Sequence, residues 1–201
     1  SVKTLAALSV FGLIVFRLRA GSFRRLLWSL DGVLALVGLL CIDASSLKSL
    51  SRGYCALVGL VGVDLDPAAI GYETGVRITG IFANANVSAG VLAFGLILSL
   101  YLVQTAEDPR RELLAGLLLG VEALAFFLSF SMGAMAAFAV TCLVYLLCAG
   151  KGRRVGLCLL MVESVVITLL CAFAAYPMLG KDGNPVPLLL ALVCGPVVVL
   201  L

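Results

Sequence analysis

"LLAGLLLGVEALAFFLSFSMGAMAAFAVTCLVYLLCAG", Leu113 to Gly150, is the stretch that decides the fold. It is mostly apolar, with Glu122 its only charged residue, and it is about twice as long as the roughly 20 residues one helix needs to cross a bilayer. It must therefore fold back on itself. "SFSMG", 129–133, is the natural place, because serine and glycine permit a tight reversal. The expectation is two antiparallel helices, 113–130 and 134–150, joined at that turn.

The rest of the chain has the same character. Of its 201 residues, 63% are hydrophobic and 12% charged, with a mean hydropathy of +1.20. Soluble domains are about 45–50% apolar and about 25% charged. No soluble core hides this much apolar surface, so the expected solvent is lipid and the expected fold class is all-α, a polytopic transmembrane helix bundle. Further full spans are expected at 26–42, 87–104 and 155–175, about five in all. Partial spans at 4–16 and 188–201 read as truncated, because the chain opens without methionine and stops inside an apolar run. All of 1–201 is one membrane domain, and 43–86 is its outer segment. Within that segment "YCALVGLVGV", 54–63, is too short to cross and reads as a re-entrant or interfacial piece; an additional crossing using 44–63 is the alternative.

Basic residues set the orientation. With "RLRAGSFRR" in the cytoplasm, most of the 14 Lys and Arg lie inside: Arg17, Arg19, Arg24, Arg25, Arg110, Arg111, Lys151, Arg153 and Arg154. Lys3, Lys48, Arg52, Arg77 and Lys181 lie outside. The net charge of +3 follows from this asymmetry and needs no nucleic-acid partner. There is no histidine, no Walker loop and no C-x-x-C, so neither a metal nor a cofactor is expected. Cys142, Cys148, Cys158, Cys171 and Cys194 sit in apolar runs, where free cysteine behaves as a small hydrophobe. A Cys41–Cys55 disulfide stays open, since pairing is unreadable from spacing.

Two sets of polar residues stand out. "RITGIFANANVSAG", 77–90, places Arg77, Gly80, Asn84 and Asn86 at the outer mouth of the helix beginning near Val87. A guanidinium grips phosphate with a planar fork and stays charged. Asn86 also suits the N-cap of that helix, and Arg77 has Asp64, Asp66 and Glu73 as nearby acidic partners. The second set is Asp31, Glu122 and Glu163, carboxyl groups inside expected spans. Such groups are costly in hydrocarbon and mark functional positions by default. Asp31, six residues beyond Arg25, is expected near the cytoplasmic interface. Glu122 and Glu163 are expected at mid-span, hydrogen-bonded to neighbouring helices or lining a proton or cation path. "SMGAMAAF", 131–138, supplies small residues at helix-packing spacing.

The pattern R-x-T-G-x-F-x-N-x-N, from Arg77 to Asn86, resembles the signature of the O-antigen ligase and O-antigen polymerase superfamily. "SMGAMAAF" is similar to the family's second motif, with Met132 where the family has arginine. The resemblance spans roughly residues 26–150. It implies a bacterial inner-membrane glycosyltransferase that moves a glycan from a lipid-linked donor, undecaprenyl diphosphate, to a glycan or lipid acceptor on the extracytoplasmic face. It implies that Arg77 faces the diphosphate, with Gly80, Asn84 and Asn86 around it. The family's catalytic, histidine-bearing outer loop has no counterpart here and is expected beyond Leu201. The alternative is a transporter or flippase using Glu122 and Glu163.

Overall fold

The structure, a computed structural model, describes residues 20–60, 62, 72–73, 77–82, 84–181 and 183–200. Among these residues there are seven α-helices. They are α1 Ala20–Ala44, α2 Ser49–Gly59, α3 Ala85–Gln104, α4 Pro109–Leu128, α5 Met132–Cys148, α6 Arg154–Ala175 and α7 Val186–Leu200. The expected partial span at 4–16 lies outside the described residues. A two-residue antiparallel hairpin, β1 Tyr72–Glu73 with β2 Arg77–Ile78, precedes α3, and Tyr72 pairs with Ile78 and Glu73 with Arg77.

Local chemistry sets where the helices begin. The Asp108 side chain accepts a hydrogen bond from the Arg111 backbone N–H at 2.9 Å, and Pro109 opens α4 with its fixed φ. Ser131 caps α5. Asn84 caps α3, its Oδ1 accepting from the backbone N–H groups of Asn86 at 2.9 Å and Val87 at 3.3 Å. The cap is therefore two residues earlier than the expected Asn86, which itself lies in the first turn.

Three helices are long and apolar enough to cross a membrane: Phe23–Ala44 within α1, Ala85–Gln104, and Arg154–Met178, which extends α6 through a 3-10 turn. α5 and α7 are apolar but shorter. α2 has 11 residues and, at about 1.5 Å per residue, spans about half of the hydrocarbon thickness. It is no crossing.

α4 is the hub of the bundle. It packs on α1, α3, α6 and α7, and buries Leu119, Val121, Leu124, Ala125, Phe126 and Leu128 almost completely. The α4–α7 contact is backbone on backbone: a Cβ on Gly120 would fall 2.6 Å from the Cα of Gly195. α5, by contrast, buries none of its residues. Val140, Leu143, Val144 and Leu147 on α5 and Leu170 and Phe173 on α6 face outward, Phe173 with 81% of its surface exposed. An apolar outer surface of this kind suits lipid and is untenable in water.

The α4–α5 reversal occurs at Ser129–Ser131, as the run of apolar residues requires, but glycine does not make it. Phe130 carries the positive φ of 48°, and Gly133 lies inside α5 facing open space. Gly133 thus mediates no close helix approach; Gly116, Gly120 and Gly195 do. Cys41 and Cys55 are both free thiols, buried in separate apolar clusters.

Candidate functional site

The two polar sets identified in the sequence occupy different places. The first forms a clasp at one end of the bundle. β2 lies against α4, and the chain then turns at Gly80, whose φ is +66°. Gly80 is required twice over: its backbone is left-handed, and a Cβ there would sit 2.8 Å from Ser88 Oγ and press into Cys41 Sγ. The Ser88 hydroxyl donates to the Thr79 carbonyl at 2.5 Å, which staples the turn to the first turn of α3. The Ser131 hydroxyl donates to Asn86 Oδ1 at 2.9 Å, joining this clasp to the α4–α5 turn.

These bonds assign local work to three of the four expected ligand residues. Gly80 shapes the turn, Asn84 caps α3, and the carbonyl oxygen of Asn86 is held by Ser131. Asn86 keeps an amide NH2 that this bond does not use, and its side chain is at the exposed surface. Arg77 is half-buried on β2, opposite Glu73 in the hairpin register. Asp64 and Asp66, its other expected partners, lie outside the described residues.

The same end holds a group that sequence reading passed over. Asp43, completely buried near the end of α1, accepts from the backbone N–H of Ser51 at 2.8 Å and from the backbone and hydroxyl of Ser49 at 3.3 and 3.2 Å. It substitutes for a missing cap at the start of α2, where Lys48 is left-handed and provides no side-chain bond. The signal was the pair of serines a turn and a half downstream. The loop between α6 and α7 also docks here, Gly180 N–H to Ser45 O at 2.9 Å and Gly183 N–H to Ser46 O at 3.1 Å.

The second set lies in the core. Asp31 of α1, Ser99 of α3 and Glu122 of α4 are all fully buried. Ser99 Oγ is 2.9 Å from Asp31 Oδ2 and 2.9 Å from Glu122 Oε2. Asp31 Oδ1 and Glu122 Oε1 have no hydrogen-bond partner among the described residues. Gly95, one turn before Ser99 on α3, makes the room: a Cβ there would lie 2.7 Å from Glu122 Cδ. Asp31 is thus enclosed by the bundle rather than exposed. Its helix carries it about 9 Å along the axis from Arg25, to a partner the linear sequence does not reveal. Glu163 is half-buried on α6 and is not part of this group. The described residues contain no group of three or more His, Cys, Asp or Glu side chains that could hold a metal ion.

The opposite end of the bundle is basic. Arg24 pairs with Glu107 and donates to the Thr105 carbonyl at 2.6 Å. Arg111 reaches Glu107 at 3.3 Å and Asp108 at 3.2 Å. Arg24, Arg25, Trp28, Ser29, Arg111 and Leu114 line an open cleft there. The Tyr145 hydroxyl donates to Gln104 Oε1 at 3.1 Å, which brings the C-terminal end of α5, and with it Lys151 and Arg153, to this same end. In comparisons with protein-family models, curated proteins and solved structures, nothing matches this chain.

Proposed function

We propose that the chain is the donor-binding part of a membrane glycosyltransferase of the O-antigen ligase and polymerase kind, working at the outer face of a bacterial cytoplasmic membrane. In this reading α1, α3, α4, α5 and α6 each cross the bilayer. The end bearing Arg24, Arg111 and Arg153 faces the cytoplasm, as the excess of basic residues favours, and the Arg77 clasp faces outward.

The observation that supports this most is the Ser131–Asn86 hydrogen bond. It brings the two stretches that resemble the family's motifs, far apart in sequence, to one end of the bundle. The chemistry fits that place. Transfer of a glycan from a polyprenyl diphosphate leaves negative charge on the departing phosphate, and fixed positive charge stabilises it. Arg77 presents the fork geometry for two phosphate oxygens. The donor is a lipid-linked oligosaccharide and the acceptor a glycan or lipid.

The test is Arg77→Ala and Arg77→Lys in the full-length protein, scoring glycan on the cell surface at equal membrane abundance of the protein. Both variants are expected to abolish transfer, the lysine variant because a point charge does not replace the fork. Full transfer in both ends the assignment. A transporter or flippase retains one observation in its favour, the buried Asp31–Ser99–Glu122 group, although Glu163 does not join it. Glu122→Gln separates the two: transfer stays near normal in a glycosyltransferase and proton-coupled transport stops in a transporter.

A further inference from the structure

The Asp31–Ser99–Glu122 group has a hydrogen-bond arithmetic of its own, independent of which reading of function holds. A serine hydroxyl carries one hydrogen and therefore donates once. Yet Ser99 Oγ stands 2.9 Å from an oxygen of each carboxyl group. If both carboxyls were ionised, one of these contacts would press two lone pairs together with no hydrogen between them. Both become hydrogen bonds only when one carboxyl group is an acid whose O–H donates to Ser99 Oγ, while the Ser99 O–H donates to the other.

Among the described residues, the helices packed around the group offer no other way to balance the charge. α3 and α7 contain no Lys or Arg, and their titratable side chains are Tyr101 and Cys194, the latter 3.4 Å from the Thr168 hydroxyl. On α1 the cations are Arg24 and Arg25, about 9 Å or more along the axis from Asp31. On α4 they are Arg110 and Arg111, about 16 Å from Glu122, with Glu112 beside them. α6 begins at Arg154, in the basic end, and contributes Glu163, Cys158 and Cys171. A Ca²⁺ ion takes about 6–8 oxygen ligands, more than two carboxyls and one hydroxyl provide. A hydrogen ion needs only what is present.

We propose that Asp31, Ser99 and Glu122 form a proton-binding site in the interior of the bundle, one carboxyl group holding its proton at neutral pH and sharing it with the other through the Ser99 hydroxyl. Asp31 Oδ1 and Glu122 Oε1, both buried and without a partner, are the positions left for a second proton. The site therefore has room for the pair to pass between a singly and a doubly protonated state.

Infrared spectroscopy of the full-length protein in lipid bilayers tests this. At neutral pH the wild type is expected to show the carbonyl stretch of a buried carboxylic acid, above the amide I band. Labelling aspartate or glutamate with carbon-13 should move that band with no substitution at all. Asp31→Asn and Glu122→Gln should each shift the band, the double variant should remove it, Ser99→Ala should move it upward as the hydrogen bond is lost, and Glu163→Gln should leave it in place. A wild-type spectrum without the band overturns the proposal. So does a band that neither aspartate nor glutamate labelling moves, or one that survives unchanged in the double variant. Because the readout is a vibration and not glycan transfer or transport, its failure is separable from failure of either functional reading.

Discussion

At the scale of single residues, the glycines carry the most specific information. Gly95 matters because Glu122 needs its space, and the two are coupled. Gly95→Ala is expected to destabilise the protein by about 1–3 kcal/mol, the usual range for overpacking. In a Glu122→Ala background the same change should cost much less, since the carboxyl group that would be struck is gone. Such non-additivity is expected of residues in direct contact, and thermal or denaturant unfolding of the four proteins in detergent measures it. Equal losses in both backgrounds would place the carboxyl group elsewhere. The side chains Gly80 and Gly95 make room for also show what a sequence leaves unsaid. That Arg77, Gly80, Asn84 and Asn86 form one polar cluster is legible from spacing alone. That Gly80 sits on Cys41, and that Glu122 meets Asp31, depends on how helices rotate about their axes, which a nearly uniform run of Leu, Val and Ala does not specify.

At the scale of elements, the asparagine assignments can be separated by experiment. Asn84 caps α3 through two backbone N–H groups, so Asn84→Ala should cost about 1 kcal/mol. Asn84→Asp should keep the cap, and the added negative charge suits a helix N-terminus. If the same residue touched a lipid diphosphate, the aspartate variant would instead repel it and lose glycan transfer. A stable and active Asn84→Asp protein therefore identifies a cap, whereas a stable and inactive one identifies a ligand. Helix existence was the most readable feature of this chain: runs near 26–42, 87–104, 113–130, 134–150 and 155–175 all emerge as helices, extended by one to several residues where Asn84, Asp108 and Ser131 set the starts. What did not emerge from sequence was the hierarchy among them. α4 and α5 look alike as strings, yet one is enclosed and the other has no buried residue. The difference lies in Gly116 and Gly120, which let α7 lie directly on the α4 backbone. Gly120→Val should accordingly loosen α7 and lower the unfolding temperature more than Gly133→Val, which enters open space. Equal effects would remove the distinction.

At the scale of the whole molecule, the open matter is which helices cross the bilayer. α4 is not among the three that qualify by length and apolarity, because its first turn carries Arg110, Arg111 and Glu112 and its middle carries Glu122. Yet the demand for an apolar sequence falls on surfaces that meet lipid, and α4 is surrounded by α1, α3, α6 and α7. Its 20 residues extend about 30 Å, the thickness of the hydrocarbon core. The charged first turn then lies with Arg24 at the basic end, and the Ser129–Ser131 turn at the clasp. The alternative geometry is a hairpin of α4 and α5 that dips into the membrane and returns, which would put both ends of α4 on one side. Single cysteines in a background cleared of the native ones distinguish them. Cysteine at position 106 or 152 should react with a membrane-impermeant maleimide only once the cytoplasm is opened, and cysteine at 130 or 181 should react from outside in intact cells. Labelling of 106 and 130 from the same side would rule out a crossing by α4. It would also remove the reason for placing the Arg77 clasp and the basic cleft on opposite faces of the membrane, since α4 joins the two.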